Sequence, residues 1–440
     1  MIASQVRRYP DLVPDPELDG GNDRDSAFSH AILDAVLRRW ITLEFLLELG
    51  MRSPIRGVEA DVRAILLVGA AQLLFLDRVP PHAAIDQSVR EAKARVREGA
   101  GGLVNAVLRR VAELRGDRID RPPDWTARSD ILVREDGGAV ALSRAVFPEE
   151  QTRRLAVQTG LPRGVVERWV TSHGFDRAAG LALKTIAPAP TILNVEAAPE
   201  ISERLRTEKL AVPHSSGAAL VWRSDRAHLK RLLDATGVWV QDPSSAHVVR
   251  FIAGHVEPSA VRSVVDLCAG QGTKTRQLLR AFPKAQITAA DVDPRRLDIL
   301  SRTFAGHSRV KIMDARVLAA GFPGANLVLL DVPCSNSGVL ARRVEARHRL
   351  NGRSVGELVE LQLRIAAAGA ALLAPGGWLA YSTCSIEPEE DQQQRESITR
   401  LHGLGFVAEN LILPEGGPGM DASLARDGSY AALFRRLPPG

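Results

Sequence analysis

Three cysteines, Cys268, Cys334 and Cys384, are all that the 440 residues contain. They are too few for a disulfide framework and their spacing matches no zinc-binding pattern, so no metal is expected and the three are read as free thiols. Long apolar runs are missing too. The most extended, AILLVGAAQLLFL and AAAGAALLA, fall short of the roughly 20 residues that a membrane-spanning helix needs, which excludes a membrane partner. The opening stretch MIASQVRRYPDLVPDPELDGG has charges and prolines where a secretory signal has an apolar segment, and a cytoplasmic location is expected. No repeat of solenoid length is visible. Excess charge of one sign is also lacking: the net charge is +5, although the pI near 9.3 rests mostly on arginine, whose planar fork grips phosphate. A polyanionic partner is compatible with that balance without being required by it.

What is present fits two or three globular domains, with 45% hydrophobic and 25% charged residues. Over residues 25–49, Phe28, Ile32, Val36 and Trp40 recur at helical spacing and Gly50 supplies a stop. Residues 62–76 are apolar nearly all round, as in the central helix of a bundle, and 84–97 and 103–115 read as two further helices, the first carrying Arg90, Lys93, Arg95 and Arg97. Nothing in the first 115 residues reads as a strand, so residues 20–118 are expected to form an all-α bundle after a loose, polar start. Residues 119–147 have the Pro, Gly and charge content of a linker, and 148–235 mix short helices with apolar runs such as APTILNV and AALVWR, suggesting a small α+β subdomain. From 236 to 440 strand and helix patterns alternate, which predicts βαβ units, a parallel sheet covered on both faces, and a ligand site outside the carboxyl ends of the strands.

Taken in order, those strand ends carry chemistry. Gly270 and Gly272 follow the strand SVVDL where a bare backbone can approach a ligand, although the three-glycine dinucleotide fingerprint is absent. The next strand ends at Asp291, placed to accept the hydroxyls of a ribose, and the following one at Asp314, placed to accept from an adenine amino group. Singly, each acid reads rather as a helix N-cap or a solvated turn; the ordered series reverses that and favours an adenosine-containing ligand. Two further strands end in LLDVPCSNSG and YSTCS, so that Cys334 and Cys384 emerge on one rim, the first beside Asp331. A lone cysteine is more often a small buried hydrophobe than a nucleophile, and two among small polar residues shift that balance.

With DLCAGQGTKT, DVDPRRL, DAR, LLDVPCSNSG and YSTCSIEPEED in this order, the chain resembles the RNA 5-methylcytosine methyltransferases that use S-adenosyl-L-methionine. Its helical start, with ILLVGAAQLLFLDRVPPHAAIDQSV and GLVNAVLRR, resembles the NusB-like RNA-binding module of the ribosomal RNA small subunit methyltransferase B subfamily, and the likeness covers about residues 25–436. The resemblance implies a Rossmann-like catalytic domain behind a NusB-like one, and methylation of carbon 5 of a cytosine in RNA, small-subunit ribosomal RNA above all, by a monomer. It makes Cys384 the attacking thiol, gives Cys334 a part in product release, and sets Asp331 against the base. It places Cys268, Ala269, Gly270, Gln271, Gly272, Thr273 and Lys274 around the cofactor with Asp291, Asp314 and Asp331, and Pro333, Arg342 and Arg343 toward the RNA. Gln271 and Thr273 stand where the family has a proline and its second glycine. Two other readings stay open: a non-catalytic RNA-binding or ribosome-assembly factor, and the same chemistry on transfer RNA.

Overall fold

Leu33, Val36, Leu37, Trp40, Leu43 and Leu47 recur every three or four residues, and burial of that stripe is what makes α2 (Asp23–Glu48) a helix. In the computed structural model, which describes residues 1–13, 23–318, 322, 324–401 and 403–437, the chain divides into two compact units. The first comprises Met1–Ala189, Leu340–Asn351 and Gly417–Met420; the second comprises Pro190–Val339, Gly352–Gly416 and Asp421–Gly440.

In the first unit α2 packs on α3 (Ala60–Phe75), which contacts both α4 (Pro81–Arg95) and α5 (Ala100–Leu114). Helix α3 is buried on most of its circumference, as expected of a central helix, and Pro81 sits in the first turn of α4, where its missing N–H costs nothing. The polar start expected to be loose instead forms α1 (Ile2–Arg8), whose Ile2 and Val6 join the bundle core. The end of the expected all-α segment and the expected linker together hold a sheet of β1 (Arg115–Asp120), β2 (Ile131–Val133) and β3 (Gly138–Leu142) in the order β1-β3-β2, and Leu132, Val140 and Leu142 extend the bundle core. Its charged turn around Asp136 and Gly137 dominated the composition, while the strands on either side are only three and five residues long. Helices α6 (Gln151–Thr159), α7 (Arg163–His173) and α8 (Phe175–Lys184) also belong here, so the expected 148–235 subdomain divides after Ala189.

Buried arginines fasten segment 340–351 to α2. Arg347 donates to the carbonyls of Arg38 (2.7 Å) and Thr185 (2.9 Å), and Arg38 returns a bond to the carbonyl of Ala341 (2.9 Å). Burial lowers Arg347 to about 9, and the nearby Arg38 and Arg39 cations push the same way.

The second unit begins with a four-stranded sheet, order β5-β6-β4-β7, built from β4 (Ile192–Asn194), β5 (Ala211–Pro213), β6 (Ala219–Trp222) and β7 (Trp239–Val240), with α9 (Pro199–Thr207) and α10 (Arg226–Ala235) in the connections. After α11 (Pro243–His255) comes the alternating region: β8 (Ser263–Asp266), α12 (Thr273–Ala281), β9 (Gln286–Asp291), α13 (Pro294–Thr303), β10 (Val310–Asp314), α14 (Ala315–Leu318), β11 (Ala325–Asp331), α15 (Gly352–Ala371), β12 (Leu373–Thr383), α16 (Gln392–Thr399), β13 (Leu404–Ile412) and β14 (Ser429–Arg436). Its seven strands are ordered β10-β9-β8-β11-β12-β14-β13. The first five run parallel as expected, but β14 enters antiparallel to β12 and pairs antiparallel with β13, so the sheet is mixed. Strand β8 lies between β9 and β11, where successive crossovers leave in opposite directions and open a crevice at the carboxyl ends. No described helix is long and apolar enough to cross a membrane.

Candidate active site

Asp266 ends β8, and the chain turns through 267–272 into α12. Gly272 has φ +85°, and a Cβ there would meet a ring carbon of Phe304 at 2.5 Å, so this corner requires glycine. Ahead of it Gly270 N–H donates to Asp291 Oδ2 (3.0 Å), while Asp293 N–H donates to Asp291 Oδ1 (3.0 Å). The exposed Arg296 reaches Oδ2 at 3.4 Å. A carboxylate offers about four acceptor positions, so the buried Asp291 keeps capacity on Oδ1 and, where Arg296 yields, on Oδ2. Asp314 stands level with Asp291 on the neighbouring strand. Its carboxylate is taken by Arg316, through the backbone N–H (2.9 Å) and Nη2 (2.6 Å), and the bonds from that side chain hold it below the usual range. Within the loop, Ala269 is buried and Gln271 exposed. Burial, with Asp266, Asp331 and Asp291 around it, pushes the Cys268 thiol far up and keeps it protonated.

Asp331 ends β11 opposite Ser382 of β12. Lys274 Nζ donates to its Oδ2 (2.7 Å) and the Ser382 hydroxyl to its Oδ1 (3.0 Å). Burial pulls Lys274 toward the neutral form, and Asp331, with Cys384 and Asp266 near it, more than offsets this, so the ammonium stays above the ordinary lysine range. Beneath this pair the buried Asp266 accepts from Thr275 Oγ1 (2.6 Å); burial pushes it up to about 7, against the Thr275 bond and helped by the Asp331 charge.

The two thiols meet at the ends of β11 and β12, with Cys334 Sγ 3.2 Å from Cys384 Sγ. Cys334 is buried and Cys384 partly open. The Cys384 thiol donates to Asn336 Oδ1 (3.4 Å), and Asn336, in the left-handed region at φ +61°, donates from Nδ2 to the Cys334 carbonyl (2.9 Å). The hydrogen bond to Cys384, followed by burial and the charges of Cys384 and Glu390, pushes the Cys334 thiol well up. Pro333 is exposed beside it. The two loops are laced together: Gly338 N–H donates to the Cys384 carbonyl (3.0 Å) and Ile386 N–H to Ser337 Oγ (2.9 Å). A Cβ on Gly338 would lie 2.7 Å from that carbonyl oxygen and 2.9 Å from Gly428 Cα, backbone on both sides. Gly338→Ala should therefore cost about 1–3 kcal/mol, as overpacking does; urea unfolding checks this, and an unchanged midpoint would show that the loops separate freely.

Arg342 and Arg343 lie in the first unit, on segment 340–351, whereas the thiols, the glycine loop, Asp291, Asp314 and Asp331 all lie in the second. Several side chains in the site escaped the sequence reading. Glu390 and Asp391 belong to the acidic run EPEED and are fully buried: Glu390 is held by Ser335, Ser385 and Gln362, and Asp391 accepts from Thr383 Oγ1 (2.7 Å). Burial pushes both carboxyls up. A signal for Thr383 and Ser385 was present in their adjacency to Cys384; none was available for Gln362, which arrives from α15.

A family model described as 16S rRNA methyltransferase RsmB/F matches residues 253–405, and the NusB family model matches residues 11–113. The ribosomal RNA small subunit methyltransferase B of Yersinia pseudotuberculosis (serotype O:1b, strain IP 31758) is 28% identical over 421 residues, spanning 92% of this chain and 91% of that protein. Among solved structures, PH0851 superposes over 94% of this chain and 91% of its own with a TM-score of 0.68 at 20% identity. NSun6 from Pyrococcus horikoshii, determined with SFG, covers 63% of this chain and 99% of its own, with a TM-score of 0.51 at 16% identity. At these identities the structural likeness establishes the fold.

Proposed function

Because the chain belongs to the RsmB/F family of RNA methyltransferases that use S-adenosyl-L-methionine, with a NusB domain ahead of the catalytic one, we propose that it methylates carbon 5 of a cytosine in small-subunit ribosomal RNA through a covalent bond between Cys384 and the base. The observation that carries this reading is the pair of thiols 3.2 Å apart at neighbouring strand ends, on the rim that also holds the Lys274 and Asp331 pair. Binding RNA alone needs neither. Such a substrate places the protein's work in the cytoplasm, and the NusB domain is the module that would hold the RNA.

The residues at the β8 and β9 ends fit the cofactor: a glycine corner that leaves backbone accessible, and a buried carboxylate with acceptor positions to spare for ribose hydroxyls. When bound, S-adenosyl-L-methionine supplies a methyl group on a sulfonium, an electrophile that only an electron-rich carbon attacks. Carbon 5 of cytosine is a poor nucleophile until the Cys384 thiol gives up its proton and its sulfur adds to carbon 6 while the ring nitrogen takes a proton, which turns the ring into an enamine. As the ring nitrogen takes a proton, the Asp331 carboxylate accepts from that N–H and from the amino edge, and Lys274 and Ser382 hold the carboxylate in place. The hydrogen bond to Cys384 is the first cause of the raised Cys334 thiol, ahead of burial. Once the Cys384 sulfur is bonded to carbon, that hydrogen bond is gone; Cys334 first gives up its own proton to solvent and then, as the thiolate, takes the proton from carbon 5 as the Cys384 sulfur departs. The base must be single-stranded or flipped out for carbon 6 to be reached.

Bisulfite sequencing of total RNA from cells with and without the protein tests the reading: a protected cytosine in small-subunit ribosomal RNA should be lost with the protein, and an unchanged pattern there would overturn it. The cofactor side has its own test. Asp291→Ala should weaken S-adenosyl-L-methionine binding by about 1.5–3 kcal/mol, the worth of hydrogen bonds to a charged group, while RNA affinity holds. Equal cofactor affinity of variant and parent in calorimetric titration would remove Asp291 from the site.

A further inference from the structure

Glu390 is fully buried, and the chemistry just described gives it no part. We propose that Glu390 is a positioning residue that sets the separation of the two thiols, an inference that rests on the roles given above to Cys384 and Cys334.

Both carboxylate oxygens are fully engaged. Oε1 accepts from Ser335 N–H (2.9 Å) and Gln362 Nε2 (2.9 Å), and Oε2 accepts from the hydroxyls of Ser335 and Ser385 (2.5 Å from the latter). Ser335 directly follows Cys334, and Ser385 directly follows Cys384. The amide of Gln362 that reaches Oε1 also donates to the carbonyl of Pro333 (3.0 Å), the residue before Cys334. One side chain thus joins the residues flanking one thiol to the residue behind the other. Its own backbone is anchored: Glu390 N–H donates to the Glu387 carbonyl (3.0 Å), and its carbonyl accepts from the Tyr381 hydroxyl (2.7 Å) on β12. The adjacent Asp391 completes the arrangement by accepting from Thr383, the residue before Cys384. Among the described residues no cation bonds the Glu390 carboxylate, so its burial is costly, and what the fold gains is a node with four acceptor positions converging on two loops. Glutamine has the same shape but only one carbonyl oxygen: with that oxygen on Ser335 N–H and Gln362 Nε2, its nitrogen faces the Ser335 and Ser385 hydroxyls as a donor, and neither hydroxyl can give its hydrogen to this node.

The test uses the full chain and reads the sulfur separation directly. Diamide takes two hydrogens from a pair of adjacent thiols and leaves a disulfide, so the rate at which Cys334 and Cys384 become linked, followed by peptide mass after alkylation of the remaining thiols, reports their proximity. Glu390→Gln should link at least about tenfold more slowly and methylate RNA in a single turnover at least about tenfold more slowly, a factor of ten being the 1.4 kcal/mol expected for a bond to a charged group. S-adenosyl-L-methionine affinity should stay within about twofold, since Glu390 touches none of the cofactor-side residues. Ser385→Ala, a smaller change that leaves the carboxylate in place, should slow both rates in the same direction and by less. Parental linking rates in both variants would overturn the proposal, as would slow linking with parental methylation, or a lowered melting temperature with both rates unchanged per folded molecule. If the parent methylates no RNA while the linking rates still separate parent from variant, the function proposed above falls and the positioning of the thiols stands.

Discussion

Cys384→Ala will methylate no RNA and form no covalent protein–RNA species, whereas Cys334→Ala will transfer a methyl group and then stop, accumulating a protein–RNA complex that survives denaturing electrophoresis. The two outcomes follow from where each sulfur sits. Cys384 is the partly open thiol, with its hydrogen directed at Asn336 Oδ1, and it is free to meet carbon 6. On the proposed route the enamine needs that sulfur, so the methylation rate should fall by several orders of magnitude, to background. Cys334 is the buried thiol, its Sγ 3.2 Å from that of Cys384. After methyl transfer carbon 5 carries both the new methyl and its original proton, and the Cys384 sulfur cannot leave until that proton does. Loss of Cys334 therefore blocks the last step alone, and the trapped complex should require both S-adenosyl-L-methionine and Cys384. Gel-shifted protein in Cys384→Ala, with none in Cys334→Ala, would exchange the two roles. A parent protein that methylates nothing, with neither variant trapping RNA, would favour a binding factor.

Much of the second unit was legible because its strands are short apolar runs that end in chemistry. The runs VVDL, ITAAD and LVLLD are buried nearly throughout and announce themselves by composition, and the residues after them had to be exposed on one rim. What stayed hidden was set by tertiary partners. Strand β14 takes its antiparallel direction from pairing with β12, which no local pattern encodes. Glu390 and Asp391 read as a solvated acidic loop until Ser335, Ser385, Gln362 and Thr383 are brought around them from other elements. Arg38 and Arg347 carry no local sign of burial, and are buried on backbone carbonyls distant in sequence. Asp314 shows why a single acid is ambiguous: its carboxylate accepts the N–H of Arg316, as an N-cap or turn residue would, and a role at the cofactor needs Arg316 to share it. Arg342 and Arg343 follow the Cys334 loop in sequence, yet the chain passes from the second unit to the first between Val339 and Leu340, so nearness along the chain did not keep them in the unit of the thiols.

Asp331→Asn should lower the methylation rate about 10²–10³-fold, the usual loss when one group that stabilises developing charge is removed, while S-adenosyl-L-methionine still binds. The side chain keeps its shape, but the neutral amide can no longer serve as the charged partner of Lys274. That lysine is only 13% exposed against 34% for Asp331. Breaking a fully buried pair costs about 3–5 kcal/mol, and the partial exposure of this one reduces the expected stability loss to about 1–2 kcal/mol, too little to unfold an ordinary domain. Rate and stability should therefore separate: thermal unfolding shows a modest decrease while single-turnover methylation collapses. The step affected can be isolated by adding the change to Cys334→Ala, where product release is already blocked and only adduct formation and methyl transfer are read. If Asp331 acts as the base enters its adduct, the trapped complex should build up more slowly by the same factor that the single variant loses in rate, because both report one barrier. Trapping at the undiminished rate of Cys334→Ala would remove Asp331 from that barrier and leave it as a support for Lys274.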